Sequence, residues 1–243
     1  MELHELLERV DAPDDLVVWA RDAALEFDAV WATLTRGDHR LWVAACGGTP
    51  IEVLVEAAAA AVLTAVDTFT EAPEPVVHAL ELAVGGGSAV ELLEAAEACE
   101  QVAVSGFGRG GYRSAAEPGS AEASRAAALV ARAAEGLIAG EAQREGVRLE
   151  QARARGAYLG VGAQAALSSP EGPPRLDVMA AASDPAQGAF LFTVAACAEA
   201  LAESARAVAE GNPDTAAAEQ SARRDLDRVV RRTIEESASS DAG

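Results

Sequence analysis

The residues able to carry chemistry are few and dispersed. Gly106-Phe107-Gly108-Arg109-Gly110-Gly111 follows Val102-Ala103-Val104 and fits the G-x-G-x-x-G pattern, in which backbone amides cradle a pyrophosphate. That chemistry needs a turn joining a strand to a helix inside a βαβ unit. Here the preceding stretch, Ser88 to about Val104, has the period of a capped helix, and no later strand series follows. The segment reads as an interhelical loop. Gly106, Gly108, Arg109 and Gly111 are the positions a nucleotide would use, and Arg109 and Tyr112 are the residues that would make this loop a contact site; no cofactor is expected.

His4, His39 and His78 fall on separate segments, and nothing pairs them with a carboxylate at a spacing diagnostic of acid–base work. Cys46, Cys99 and Cys197 are odd in number and far apart, against both a disulfide framework and a C-x-x-C zinc site. Cys99 and Cys197 lie in apolar stripes as small core residues. Cys46, before Gly47-Gly48, is the more accessible thiol but lacks an activating neighbour. Trp19, Trp31 and Trp42 are close in sequence and read as the N-terminal core, with an aromatic ligand box as the alternative. Arg223, Arg224, Arg228, Arg231 and Arg232 are interleaved with acids and read as a solvated helix face. No catalytic or metal-binding residue is assigned.

Composition bounds the function classes. Half of the 243 residues are apolar, only 4% are aromatic, and the formal charge is −20. Every basic residue is Arg, a usage that a GC-rich bacterial genome explains. The acidity is uneven: residues 1–104 hold 20 acids against four Arg, whereas residues 105–243 hold 19 against 15. Such a surface disfavours nucleic acid and anionic membrane and suits a basic partner. The N-terminus is acidic where a signal peptide is basic, and no apolar run reaches bilayer length, so a cytoplasmic protein is expected.

Helix punctuation supplies the architecture. Thr49-Pro50-Ile51-Glu52 and Ser88-Ala89-Val90-Glu91 read as capping boxes, Asp184-Pro185-Ala186-Gln187 repeats the pattern, and Asn212-Pro213 gives a cap with Pro. Gly85-Gly86-Gly87 stops the helix before Ser88. Apolar stripes at helical spacing run through 14–35, 50–70, 185–210 and 213–236. On the last of these, Glu219/Arg223 and Asp227/Arg231 are the expected exposed i,i+4 pairs. Shorter helices are expected at 2–10, 39–46, 74–84 and 175–182, with Asp38 near the start of the second, and one bent helix or two from Ser120 to about Leu167. Residues 105–119 and 168–174 break the pattern. The expected fold is an all-α, Ala-rich multi-helix bundle of about seven to nine helices without β-sheet. It forms a single domain over 1–236, with 168–174 as the place for a subdivision and 237–243 as a disordered tail.

Residues 31–99 resemble the helical immunity protein families of bacterial polymorphic-toxin systems. The resemblance lies in Trp31-x4-Arg36-Gly37-Asp38-x3-Trp42, the Ala-rich helix at 50–69, Pro73-x-Pro75-x3-Ala79-x-Glu81 and a Gly-terminated helix; residues 121–167 are similar in texture. It covers about a third of the chain, which departs from the pattern in the Gly-rich loop at 105–119 and the Pro-rich break near 170. The resemblance implies a protein that binds and neutralises a cognate toxin, with no catalytic residues to carry over. Together with the charge it leads to a non-enzymatic protein-binding module acting through the acidic N-terminal half. The candidate contact residues are Arg36, Asp38, His39, Trp42, Glu71 and Glu74, and the partner is a protein, a basic toxin being the concrete case. Two alternatives stand beside it: a self-assembling helical protein packing Ala-rich faces between subunits, and a small-molecule or nucleotide binder using the Trp cluster, His39, His78 or the Gly-rich loop.

Overall fold

Alanine-rich stripes bury well only where helices approach closely, and one helix shows this most fully. In the computed structural model, which describes residues 2–23, 27–107, 117–137 and 185–240, the described residues form ten helices and no strand. These are α1 (Leu3–Arg9), α2 (Asp14–Ala23), α3 (Phe27–Thr33), α4 (Gly37–Cys46), α5 (Ile51–Val66), α6 (Glu74–Gly85), α7 (Ala89–Phe107), α8 (120–137), α9 (Pro185–Ala209) and α10 (Thr215–Ser240). The all-α, multi-helix expectation holds for this part of the chain.

Helix α5 is the centre of the bundle. Ile51, Leu54, Ala57, Ala58, Ala59, Ala61, Val62 and Ala65 are all fully buried, so more than half of its circumference is enclosed, with Glu56 and Thr64 exposed on the remaining face. It packs against α6, α9 and α10, and α4 lies against α9 and α10. Because Ala projects a single methyl, neighbouring backbones come near each other, and Leu, Val and Phe190 fill the gaps. Helix α8 contributes a second Ala face, with Ala123, Ala126, Ala127, Ala131 and Ala133 at or near zero exposure. Arg125 of α8 pairs with Glu199 of α9 at 2.8 Å, and Arg132 of α8 grips Glu100 of α7 at 2.8 and 3.0 Å.

Two punctuation signals lie where the sequence places them, the Ser88 start and the glycine stop before it. The Ser88 hydroxyl accepts the Glu91 amide at 3.3 Å while the Glu91 carboxylate accepts the Ser88 amide at 2.9 Å, a complete capping box. Gly86 ends α6 in the left-handed region at φ 81°. Cys99 and Cys197 are buried and Cys46 half-buried, and burial pushes each thiol up to about 12.

Several expectations need correction. Thr49 does not cap α5: its amide is drawn back to the Ala44 carbonyl at 3.0 Å to close α4, and Pro50 stands at the cap position without a side-chain bond. Before α10, Asp214 makes the cap, accepting the Ala217 amide at 3.2 Å, while Asn212 forms a turn onto the Asp214 amide. The 14–35 stripe is two helices, α2 and α3. Helix α7 continues through 105–107, residues that composition assigned to the Gly-rich loop. Helix α10 runs on to Ser240, its late serines bonding back to the carbonyls of Glu235 and Glu236. The Asp184 cap, the helix at 175–182, the 168–174 break and residues 241–243 lie outside the described residues.

One close approach is testable. Gly119, at φ +85° before α8, would place a Cβ 2.1 Å from the Ala207 carbonyl oxygen of α9. Gly119→Ala combines a left-handed backbone with a backbone clash and is expected to destabilise by about 3 kcal/mol. Gly85→Ala, which meets open space, is expected to change stability by less than about 1 kcal/mol. Urea unfolding of the two variants checks the contrast, and equal midpoints would refute the α8–α9 approach.

Candidate functional site

The segment Arg36-Gly37-Asp38-His39-Arg40 gathers more polar chemistry than any other stretch of the described chain. Arg36 precedes α4 in extended conformation (φ −125°, ψ 122°), and the helix begins at Gly37. A Cβ on Gly37 would lie 2.6 Å from Leu201 Cδ2, 3.3 Å from Val230 Cγ2 and 3.4 Å from Asp227 Cα. Glycine therefore lets the first turn of α4 sit directly on α9 and α10, and the charged side chains around it meet those of α10.

The inner layer is an ion pair. Arg40 is fully buried, and its Nε and Nη2 donate to Asp227 Oδ1 and Oδ2 at 2.7 and 2.9 Å. Its Nη1 and Nη2 also donate to the carbonyls of Trp31 and Leu34 at 2.8 and 2.7 Å, groups left open at the end of α3. The guanidinium carbon lies 4.6 Å from the Trp31 ring centroid. The Trp31 indole N–H donates to Glu235 at 3.2 Å. One cation thus joins α3, α4 and α10.

The outer layer is a network. Arg36 chelates Asp38 at 3.1 and 2.5 Å and reaches Asp15 of α2 at 2.6 Å. Arg223 of α10 approaches Asp38 at 3.5 Å and Glu219 at 2.6 Å. His39 Nε2 lies 3.2 Å from Asp15 Oδ2. Burial pushes the His39 pKa below its ordinary value, with Asp38 and Asp15 opposing and Arg36 adding to the shift. Burial alone would raise the Asp38 pKa, but the bond from Arg36 and the nearby cations hold it below the usual carboxylate range.

The expected residues divide accordingly. Arg36, Asp38 and His39 come together at the α2–α4–α10 junction. Trp42 is 5% exposed and belongs to the core, and Trp19 and Trp31 pack partly buried against it. Glu71 and Glu74 are exposed, just before and at the start of α6, a helix that packs on α5 and α7. His78 is exposed, and His4 pairs with Glu2 at 3.3 Å. Gly106 falls in the last turn of α7, so a helix, and not the strand that a dinucleotide turn requires, leads into the Gly-rich segment. Gly108, Arg109, Gly111 and Tyr112 lie outside the described residues. No group of three or more His, Cys, Asp or Glu among the described residues is placed to hold a metal ion, and no described helix is long and apolar enough to cross a membrane.

Asp227 is the residue that pattern reading misplaces. The expected exposed pair with Arg231 is not formed; Asp227 is buried on Arg40, and Arg231 turns to Glu235 at 2.7 Å. A signal was present. Asp227 stands three residues before Val230 and seven before Ile234, inside the buried stripe of α10. The chemistry of the cluster is cohesive: its carboxylates are engaged by guanidinium groups, and His39 is engaged by Asp15. No protein-family profile, no curated protein and no solved structure matches this chain.

Removing one partner of the ion pair strands a buried charge, so Asp227→Leu is expected to destabilise by about 3–5 kcal/mol. Arg40→Met combined with Asp227→Leu is expected to recover much of that loss. A double-mutant cycle by chemical denaturation reads this directly, and a single-variant cost below about 1 kcal/mol would show that the pair is not a lock. For His39, a lowered folded pKa means that the unfolded chain binds the extra proton first. Stability contributed by neutral His39 is present above its unfolded value of about 6.5 and is lost as pH falls below it. The melting temperature of the native chain should therefore fall more steeply between neutral pH and about pH 5 than that of His39→Gln. Parallel curves would refute the assignment.

Proposed function

We propose that this chain is a non-enzymatic protein-binding module that neutralises a basic toxin in the manner of an immunity protein, acting through its acidic N-terminal half. The observation that carries the reading is uncompensated negative charge on exposed helices. Residues 1–104 hold 20 acids and four Arg. Three of those Arg are already engaged within the fold: Arg21 by Glu8, Arg36 by Asp15 and Asp38, and Arg40 by Asp227. The α6–α7 hairpin is the extreme case, with Glu74, Glu81, Glu91, Glu94, Glu97 and Glu100 and no Arg or Lys. A surface of this kind steers a cationic protein into encounter and repels anionic polymers. The resemblance over residues 31–99 points to the same role.

Co-expression with the products of neighbouring genes tests the reading. One such product is expected to be toxic alone, to be tolerated with this chain, and to co-purify with it. A full set that is neither toxic nor co-purified would overturn it. For the recovered complex, Glu71→Lys with Glu74→Lys is expected to slow association about tenfold at low salt while leaving dissociation nearly unchanged, because exposed charges act mainly on encounter. Stopped-flow or surface-based kinetics provide that readout.

A further inference from the structure

Helix α7 carries two opposed faces. Leu92, Ala95, Ala96, Cys99 and Ala103 are buried against the bundle. On the opposite side Val90, Leu93 and Val104 stand 65%, 39% and 70% exposed. At about 100° per residue, Glu94, Glu97 and Gln101 fall on that same outer stripe. The order along the helix is therefore apolar, acidic, apolar, over about 21 Å. A depression of about 620 Å³ opens beside its C-terminal half, lined among the described residues by Glu97, Glu100, Gln101, Val104 and Ser105. The cation of α8 on this side, Arg132, is held bidentately by Glu100 on the flank, and among the described residues no ion pair holds Glu94 or Glu97.

We infer that the outer face of α7 is the docking surface for an amphipathic helix of the partner protein, one with apolar residues at both ends and Arg or Lys between them. The inference deepens the proposed function and rests on its basic-partner reading. Charge complementarity selects the occupant. A second copy of this chain would bring carboxylates against Glu94 and Glu97, whereas a cationic segment meets them favourably. The apolar ends then set register, because sliding by one turn would move Val90 or Val104 off its contact and bring cations against aliphatic groups. Laying a helix along another helix with i, i+3, i+4 and i+7 anchors is a common recognition mode.

The probe is a pair of fluorescein-labelled helical peptides of about 15 residues and identical composition. One has leucines at the ends and lysines in the middle; the other has the reverse order. Anisotropy titration against the full chain is expected to show at least tenfold tighter binding of the first. The triple variant V90S/L93S/V104S should lose that preference, weakening the first peptide about tenfold with an unchanged melting temperature, since these side chains are exposed. E94Q/E97Q should flatten the salt dependence. Equal binding of both peptides, unaffected by the triple variant but screened by salt, would overturn the register proposal and leave a generally acidic binding surface intact. Absence of binding by either peptide would overturn the docking surface as well. The toxin co-purification test would still stand or fall on its own result.

Discussion

The buried guanidinium of Arg40 is the constraint around which the N-terminal helices are arranged. A charge in an apolar interior is tolerated only when nearly every donor has an acceptor. Arg40 meets that demand with the Asp227 carboxylate, two carbonyls at the end of α3 and the face of Trp31. Those partners come from two other helices, α3 and α10, the farther lying 187 residues away in sequence. Satisfying the charge and assembling α3, α4 and α10 are therefore the same event. Apolar packing between Ala-rich helices is forgiving of small rotations and slides; a bidentate pair with fixed planar geometry is not. The pair thus gives a smooth bundle one register.

Around this lock the polar cluster is graded by exposure. Arg40 and Asp227 form the dry centre, Asp38 and His39 the rim, and Arg36, Asp15, Glu219 and Arg223 the wet edge. The residues of Arg36-Gly37-Asp38-His39-Arg40 play different parts despite being consecutive. Gly37 permits the approach, Arg40 secures it, and Arg36 with Asp38 and His39 ties α2 to the same corner. A motif that reads as a binding signature in sequence is, in the fold, a joint between helices. Exposed carboxylates with no Arg or Lys on the same elements lie elsewhere, on α6 and α7.

The helical class and most helix positions were legible because they rest on local physics: alanine propensity, the Ser88–Glu91 box, the glycine stop at 85–87 and stripes with period 3.6. Other features were not, and three of them show why. Thr49 looked like a cap, but the tight closure of α4 claimed its amide, a competition that spacing does not reveal. Asp227 looked like a partner for Arg231, because i,i+4 rules describe a helix alone and ignore what faces it. The break assigned after Glu236 followed from composition, whereas serines that fold their hydroxyls onto preceding carbonyls extend α10 to Ser240. The charge asymmetry was readable by counting, yet its placement on a face of α7 shared with exposed Val90, Leu93 and Val104 required knowing which side of α7 the bundle covers.

The alanine core has a thermodynamic consequence. An alanine leaving the interior uncovers far less hydrocarbon than a leucine or phenylalanine, and the heat-capacity increment of unfolding scales with the hydrocarbon uncovered. A bundle whose central helix buries Ala57, Ala58, Ala59, Ala61 and Ala65 accordingly has a small increment for its length. Its free energy of unfolding then varies gently with temperature, a broad plateau in place of a sharp optimum.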